Sequence, residues 1–157
     1  MVMGEAGAVR LAGYAAVFDV PDRGRDVVRR GAFGGVQDAV RAEAGVPLLW
    51  QHGAERPVGR IVSAREDRKG LRIVADLAAG SRGGREAAAL VKAGALSGLS
   101  FGYRTKRARR DRVRGLRELL SVELVEVSLV TFPMQPLARV VGVFGGAGGG
   151  DAGLPSL

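Results

Sequence analysis

At 157 residues, 46% hydrophobic and 25% charged, the chain is long enough for one domain with a real core and too short for two. It has no cysteine and a single histidine, His52, which excludes disulfides and cysteine nucleophiles and leaves no basis for a transition-metal site; no cofactor is expected. The net charge of +8 points to an anionic partner, but its densest run, "RTKRARRDRVRGLR" (residues 104–117), lacks the aromatics of a base-stacking surface and reads equally well as a solvated hairpin.

The N-terminal "MVMGEAGAVRLAGYAAVF" is broken by Glu5 and glycines where a secretory leader needs an unbroken apolar segment. No apolar run reaches the ~18 residues that span a bilayer, so a soluble chain that stays where it is made is expected. "AVRLAGYAAVFDV" alternates loosely and is read as a strand pair closed by a turn at residues 21–24. "RDVVRRGAF" follows, then a short helix within residues 34–44, then "VPLLW" as a strand leading to His52. "RIVSAREDRKGLRIVADL" reads as two strands around a charged turn ending at Gly70. Ser81 caps a predicted helix over residues 82–93, with Gly94 as its stop signal. "ALSGLSFGYRTKRAR" and "LRELLSVELVEVSLVTF" are the longest strand candidates, joined by the arginine-rich connection; Pro133 and Pro136 end the second. The glycine-rich residues 144–157 form a tail expected to be disordered, leaving 1–143 as the domain. About seven short strands with one or two helices argue for a β-barrel or a mainly β, α+β domain.

Candidate chemistry concentrates in three places. In "ALSGLSFGYR", strand alternation puts Ser97, Leu99, Phe101 and Tyr103 on one face and Leu96, Gly98, Ser100 and Gly102 on the other. Ser100 between two glycines would stand in a shallow trough that a substrate backbone could approach, or would simply be a small space-filler under a helix. In "SVELVEVSLVTF", Glu126 lies among apolar residues on both faces and requires a partner, either an arginine or the one imidazole. Glu123 sits nearer the strand start and reaches solvent more easily. Imidazole, hydroxyl and carboxylate are the components of a nucleophilic triad, and without a second histidine its third member must be acidic.

At these residues the chain resembles the tailed-phage prohead (capsid maturation) serine protease family, which includes proteases of phage-derived gene transfer agents. The resemblance is carried in order by "GYAAVFDVPDRGRDVVRRGAF", "LLWQHGAERPVGRI", "LSGLSFGYR" and "ELVEVSLVTFPMQPLA". It implies a fold similar to herpesvirus assembly proteases: a closed or nearly closed β-barrel of about seven strands surrounded by a few helices. It places the family's histidine on His52, its nucleophile on Ser100 and its acidic member on Glu126, with Glu123 as fallback. Asp26 and Gly31 fit a motif read as structural. The loop "TFPMQP" supplies Met134 and Gln135 as candidate oxyanion donors, since Pro133 has no N–H.

The implied activity is endopeptidase cleavage of the scaffolding segment of the major capsid protein, and of the protease itself, inside the immature capsid in the host cytoplasm. The implied partners are that capsid protein, the portal and further copies of the chain, without membrane association and with direct nucleic-acid binding disfavoured. The basic run is heavier than the family pattern, and little sequence lies beyond the catalytic domain. The rival expectation is a catalytically inactive assembly module that binds scaffold or nucleic acid through the arginine-rich hairpin.

Overall fold

The computed structural model describes residues 8–145. Its elements are β1 (Val9–Val17), β2 (Asp26–Val28), α1 (Val36–Arg41), β3 (Pro47–Trp50), β4 (Gly53–Glu66), β5 (Gly70–Leu77), α2 (Arg82–Lys92), β6 (Gly98–Asp111), β7 (Leu116–Val130) and β8 (Val140–Gly145). The strands form one eight-stranded sheet in the order β2-β7-β3-β4-β5-β1-β8, with β6 on the other edge of β7. The domain is therefore mainly β with a few helices, as expected. The sheet does not close into a barrel: among the described residues the start of β6 meets the residue before β8 at the isolated bridge between Gly98 and Arg139. Two backbone bonds flank that bridge, Leu99 N–H to Ala138 C=O at 2.9 Å and Val140 N–H to Ser97 C=O at 2.8 Å. Beyond it no strand ladder joins the two ends of the sheet among the described residues.

The stretch read as a strand pair is one strand, β1, whose alternation is blurred because nearly every residue is buried between β5 and β8. The eighth strand, β8, takes in Phe144 and Gly145, which the sequence reading assigned to the tail; the rest of that tail lies outside the described residues. The helix capped by Ser81 forms as anticipated, the Ser81 hydroxyl accepting from Gly84 N–H at 2.9 Å. One continuous core of Leu11, Leu48, Ile61, Leu71, Ile73, Leu99, Leu119 and Leu129 lies inside the curved sheet. Aromatics are few, so the aliphatic side chains supply most of the burial that drives folding.

The central strand is β7. It receives β6 along one edge and, on the other, the parallel strands β2 and β3 at opposite ends. Its base is tied down by Glu118, which accepts from Arg29 at 2.9 Å and from Arg109 at 2.7 Å. Asp26 on β2 likewise accepts from two guanidinium nitrogens of Arg117, Nε at 2.9 Å and Nη2 at 2.8 Å, in keeping with its reading as a structural residue. The neighbouring Arg109, and then Arg29, hold the Glu118 carboxyl at about 2, well below the glutamate range. A depressed carboxyl contributes stability that is fully present above the unfolded value of roughly 4.3 and is lost as pH falls toward 2. Thermal melts between about pH 5 and pH 2 are thus expected to show a steep loss of Tm, with a shallower slope for Glu118→Gln.

Candidate active site

Two features of β7 and its neighbours bring His52, Glu126 and Ser128 together. The first is a β-bulge. Gly102 pairs with Glu126 while Tyr103 pairs with Leu124, so Val125 is the extra residue on β7. Val122 and Leu124 point into the core, and strict alternation would send Glu126 and Ser128 after them. The bulge shifts the phase: Val127 and Leu129 take the core side, and Glu126 and Ser128 emerge together on the opposite face.

The second feature is the turn that carries His52. Trp50 pairs directly with Gly53, so Gln51 and His52 are the two central residues of a tight hairpin. Both have left-handed φ, 49° and 61°, as a two-residue primed turn demands, although neither is the Asn or Gly such turns prefer. Residues held this way store strain of about 1 kcal/mol or more each and persist only when their surroundings fix them. Here Gln51 N–H bonds Leu129 C=O at 2.9 Å, and the Gln51 amide clasps Thr131 through bonds of 2.7 and 3.2 Å. The backbone N–H of His52 donates to the Ser128 hydroxyl at 3.2 Å. His52 is thus set by a strained, clamped turn at the end of β3, where the sequence suggested only a strand end.

From this turn His52 Nδ1 lies 2.6 Å from Glu126 Oε1, and the Ser128 hydroxyl donates to Glu126 Oε2 at 2.6 Å. The partner that buried Glu126 required is therefore the imidazole together with a serine, and no arginine pairs with it among the described residues. Nδ1 meets a carboxylate, which fixes the tautomer and leaves Nε2 as the free basic nitrogen. Glu123 faces outward, 3.7 Å from Arg104. Ser128, fully buried, was not foreseen; in sequence it reads as one more small residue in an apolar strand.

Ser100 is buried directly opposite Ser128 in the β6–β7 ladder. The glycines beside it serve a different purpose from the substrate trough the sequence suggested. A Cβ at Gly102 would fall 2.6 Å from Glu126 Oε1 and 2.8 Å from its Cγ, and one at Gly98 would fall 2.8 Å from Pro133 Cδ. The two positions are bare so that Glu126 and Pro133 can lie across β6. Gly102→Ala is accordingly expected to keep the fold while displacing the carboxylate. If Glu126 orients His52 as proposed below, turnover should fall about 100-fold while the chain still melts cooperatively, since misplacement near 1 Å of such a group costs that much.

His52 and Ser100 border the same cavity, of about 500 Å³, which Met134 and Gln135 also line. Leu99, Ser100, Phe101 and Tyr103 all line it, residues from both faces of β6, so the cavity opens along the strand's edge. Beyond the Gly98 bridge that edge carries no partner strand among the described residues. The amides of Met134 and Gln135 bond no backbone acceptor among the described residues. A hydroxyl, an imidazole held by a carboxylate, and free backbone donors around one groove are the equipment of nucleophilic acyl transfer.

The chain belongs to the caudovirus prohead serine protease family, whose model matches residues 2–143. It is 30% identical over 131 residues to the prohead protease of Enterobacteria phage HK97, covering 82% of this chain and 57% of that protein. It is 32% identical over 131 residues to the capsid polyprotein of Pseudomonas phage PAJU2, covering 78% of this chain and 18% of that protein. The chain therefore spans little more than half of the first and under a fifth of the second. The bacteriophage T4 capsid assembly protease superposes with a TM-score of 0.62 at 15% identity, over 77% of this chain and 80% of that one. That likeness is one of fold. Varicella-zoster virus protease aligns with a TM-score of 0.49 at 18% identity, over 85% of this chain and 63% of its own.

Proposed function

We propose that the chain is a serine endopeptidase that trims the scaffolding segment of a major capsid protein, and trims itself, inside an immature capsid in the host cytoplasm. The Ser100 hydroxyl attacks the scissile carbonyl carbon and passes its proton to His52 Nε2. The oxyanion is met by backbone N–H groups, for which Met134 and Gln135 are the candidates. Collapse of the tetrahedral intermediate breaks the C–N bond, the proton on His52 leaving with the amine. Water then repeats the sequence on the acyl-enzyme. Glu126 orients His52 and supports the imidazolium, and Ser128 in turn positions Glu126. An extended substrate pairs with the unpartnered edge of β6.

The observation that carries this reading is the 2.6 Å contact between His52 Nδ1 and Glu126, with His52 sharing its cavity with Ser100. Membership of a prohead serine protease family and similarity to a protein described as a capsid polyprotein support the capsid substrate. The rival reading, an inactive assembly module, draws on the exposure of residues 104–110 on the β6–β7 hairpin. Treatment of the folded chain with a fluorophosphonate separates the two. Covalent mass added at Ser100, located by peptide mapping, is expected of the protease; no adduct with the hairpin still binding capsid protein would favour the module.

A further inference from the structure

The cavity beside Ser100 has walls of unlike character. Phe101, Tyr103, Phe132 and Met134 line it with apolar and aromatic surface, the loop between β1 and β2 contributes Asp22, and the start of β2 contributes Asp26. The two carboxylates are not equivalent. Asp26 is saturated by the two nitrogens of Arg117, with the Tyr103 hydroxyl alongside at 3.4 Å. The Asp22 carboxylate accepts backbone N–H groups, from Asp26 at 2.9 Å and from Gly24, and forms no ion pair among the described residues. Partial burial, and then the neighbouring Asp26 charge, push the Asp22 carboxyl above the usual aspartate range, because the backbone donors and the more distant Arg117 offset them only in part.

A cavity that holds Ser100, apolar walls and a carboxylate with no ion-pair partner among the described residues fits a side chain with a long hydrocarbon stem and a positive end. We propose that Asp22 is a specificity-determining residue that receives a lysine or arginine side chain of the substrate next to the bond cut at Ser100. The proposal rests on the protease reading. The excess positive charge of the chain does not oppose it, because that charge is concentrated on the exposed hairpin and the preference is set by contact inside the cavity. A cationic end there would offset the charge of Asp22, whereas a glutamate side chain would add a further negative charge beside Asp22 and Asp26.

The test uses two phosphonate esters that react with the serine, identical except for a lysine-like or a norleucine-like side chain, on the full chain. The lysine-like probe is expected to modify Ser100 at least about tenfold faster, the scale of one charge-assisted hydrogen bond. Asp22→Asn retains an oxygen that can accept from Asp26 N–H, so the loop is held, and the ratio of the two rates should fall toward one. Equal rates in the wild-type chain, or a preference that survives Asp22→Asn, would overturn the assignment while leaving the protease reading in place. If neither probe nor a simple fluorophosphonate modifies Ser100, both fail together.

Discussion

Co-expression of the Ser100→Ala chain with its major capsid protein is expected to leave that protein at full length, where the wild-type chain trims it. On a peptide substrate the same change should lower kcat by about 10⁴- to 10⁶-fold, the scale at which a nucleophile acting as part of a unit is lost. The methyl group of alanine fits where the hydroxymethyl stood, so the melting temperature should barely move. Ser97 provides the matched control. It lies three residues away, and its hydroxyl receives Arg139 Nη1 at 3.2 Å, away from the imidazole. Ser97→Ala should trim normally. Trimming that survives Ser100→Ala would remove the nucleophile from the account.

The second large effect is expected at Glu126. Its two carboxylate oxygens accept from different donors, Oε1 facing His52 Nδ1 and Oε2 the Ser128 hydroxyl, each at 2.6 Å. Glutamine fills the same volume but presents one oxygen and one NH₂, so one of those donors meets another donor. If the amide nitrogen faces Nδ1, the imidazole must present a lone pair there and carry its proton on Nε2, the wrong tautomer for a base. Glu126→Gln should therefore lower kcat by roughly 10³- to 10⁴-fold with little change in KM. Glu123→Gln, on the outer face beside Arg104, should remain within about twofold of wild type. A large loss at Glu123 with a small one at Glu126 would transfer the third role to Glu123.

The parts of this site differ in how far a sequence could disclose them. Ser100, His52 and Glu126 were legible through the order of family motifs, and the apolar setting of Glu126 independently demanded a partner. Ser128 was not, because a serine between Val127 and Leu129 carries no mark that separates a hydrogen-bonding role from a filler. The bulge at Val125 that turns both residues out of the core has no local signature, since it arises from the pairing of β7 with β6. The Gln51-His52 turn was hidden for a similar reason: left-handed backbone at two residues that disfavour it is stabilised by Leu129, Thr131 and Ser128, all more than seventy positions away.

Gly98 and Gly102 read in the sequence as a trough for an approaching substrate backbone, a reading that did not include the groups packed over them. What approaches them, Pro133 and the Glu126 side chain, could be known only from the ladder. In the fold, the helix capped by Ser81 and the long β6–β7 hairpin followed from local signals. The eighth strand did not, because Val140–Gly145 holds little that alternates and draws its hydrogen bonds from β1.

In the proposed mechanism an imidazole from the β3–β4 turn serves a hydroxyl on β6, with a carboxylate on β7 holding it in place. The most direct measurement is the second-order rate at which a fluorophosphonate modifies Ser100 in the His52→Ala chain relative to wild type. A general base contributes roughly 10²- to 10⁴-fold to such a step, so a fall of that size is expected while the fold persists. Modification at the wild-type rate without His52 would show that the serine reacts unaided, and would contradict the account.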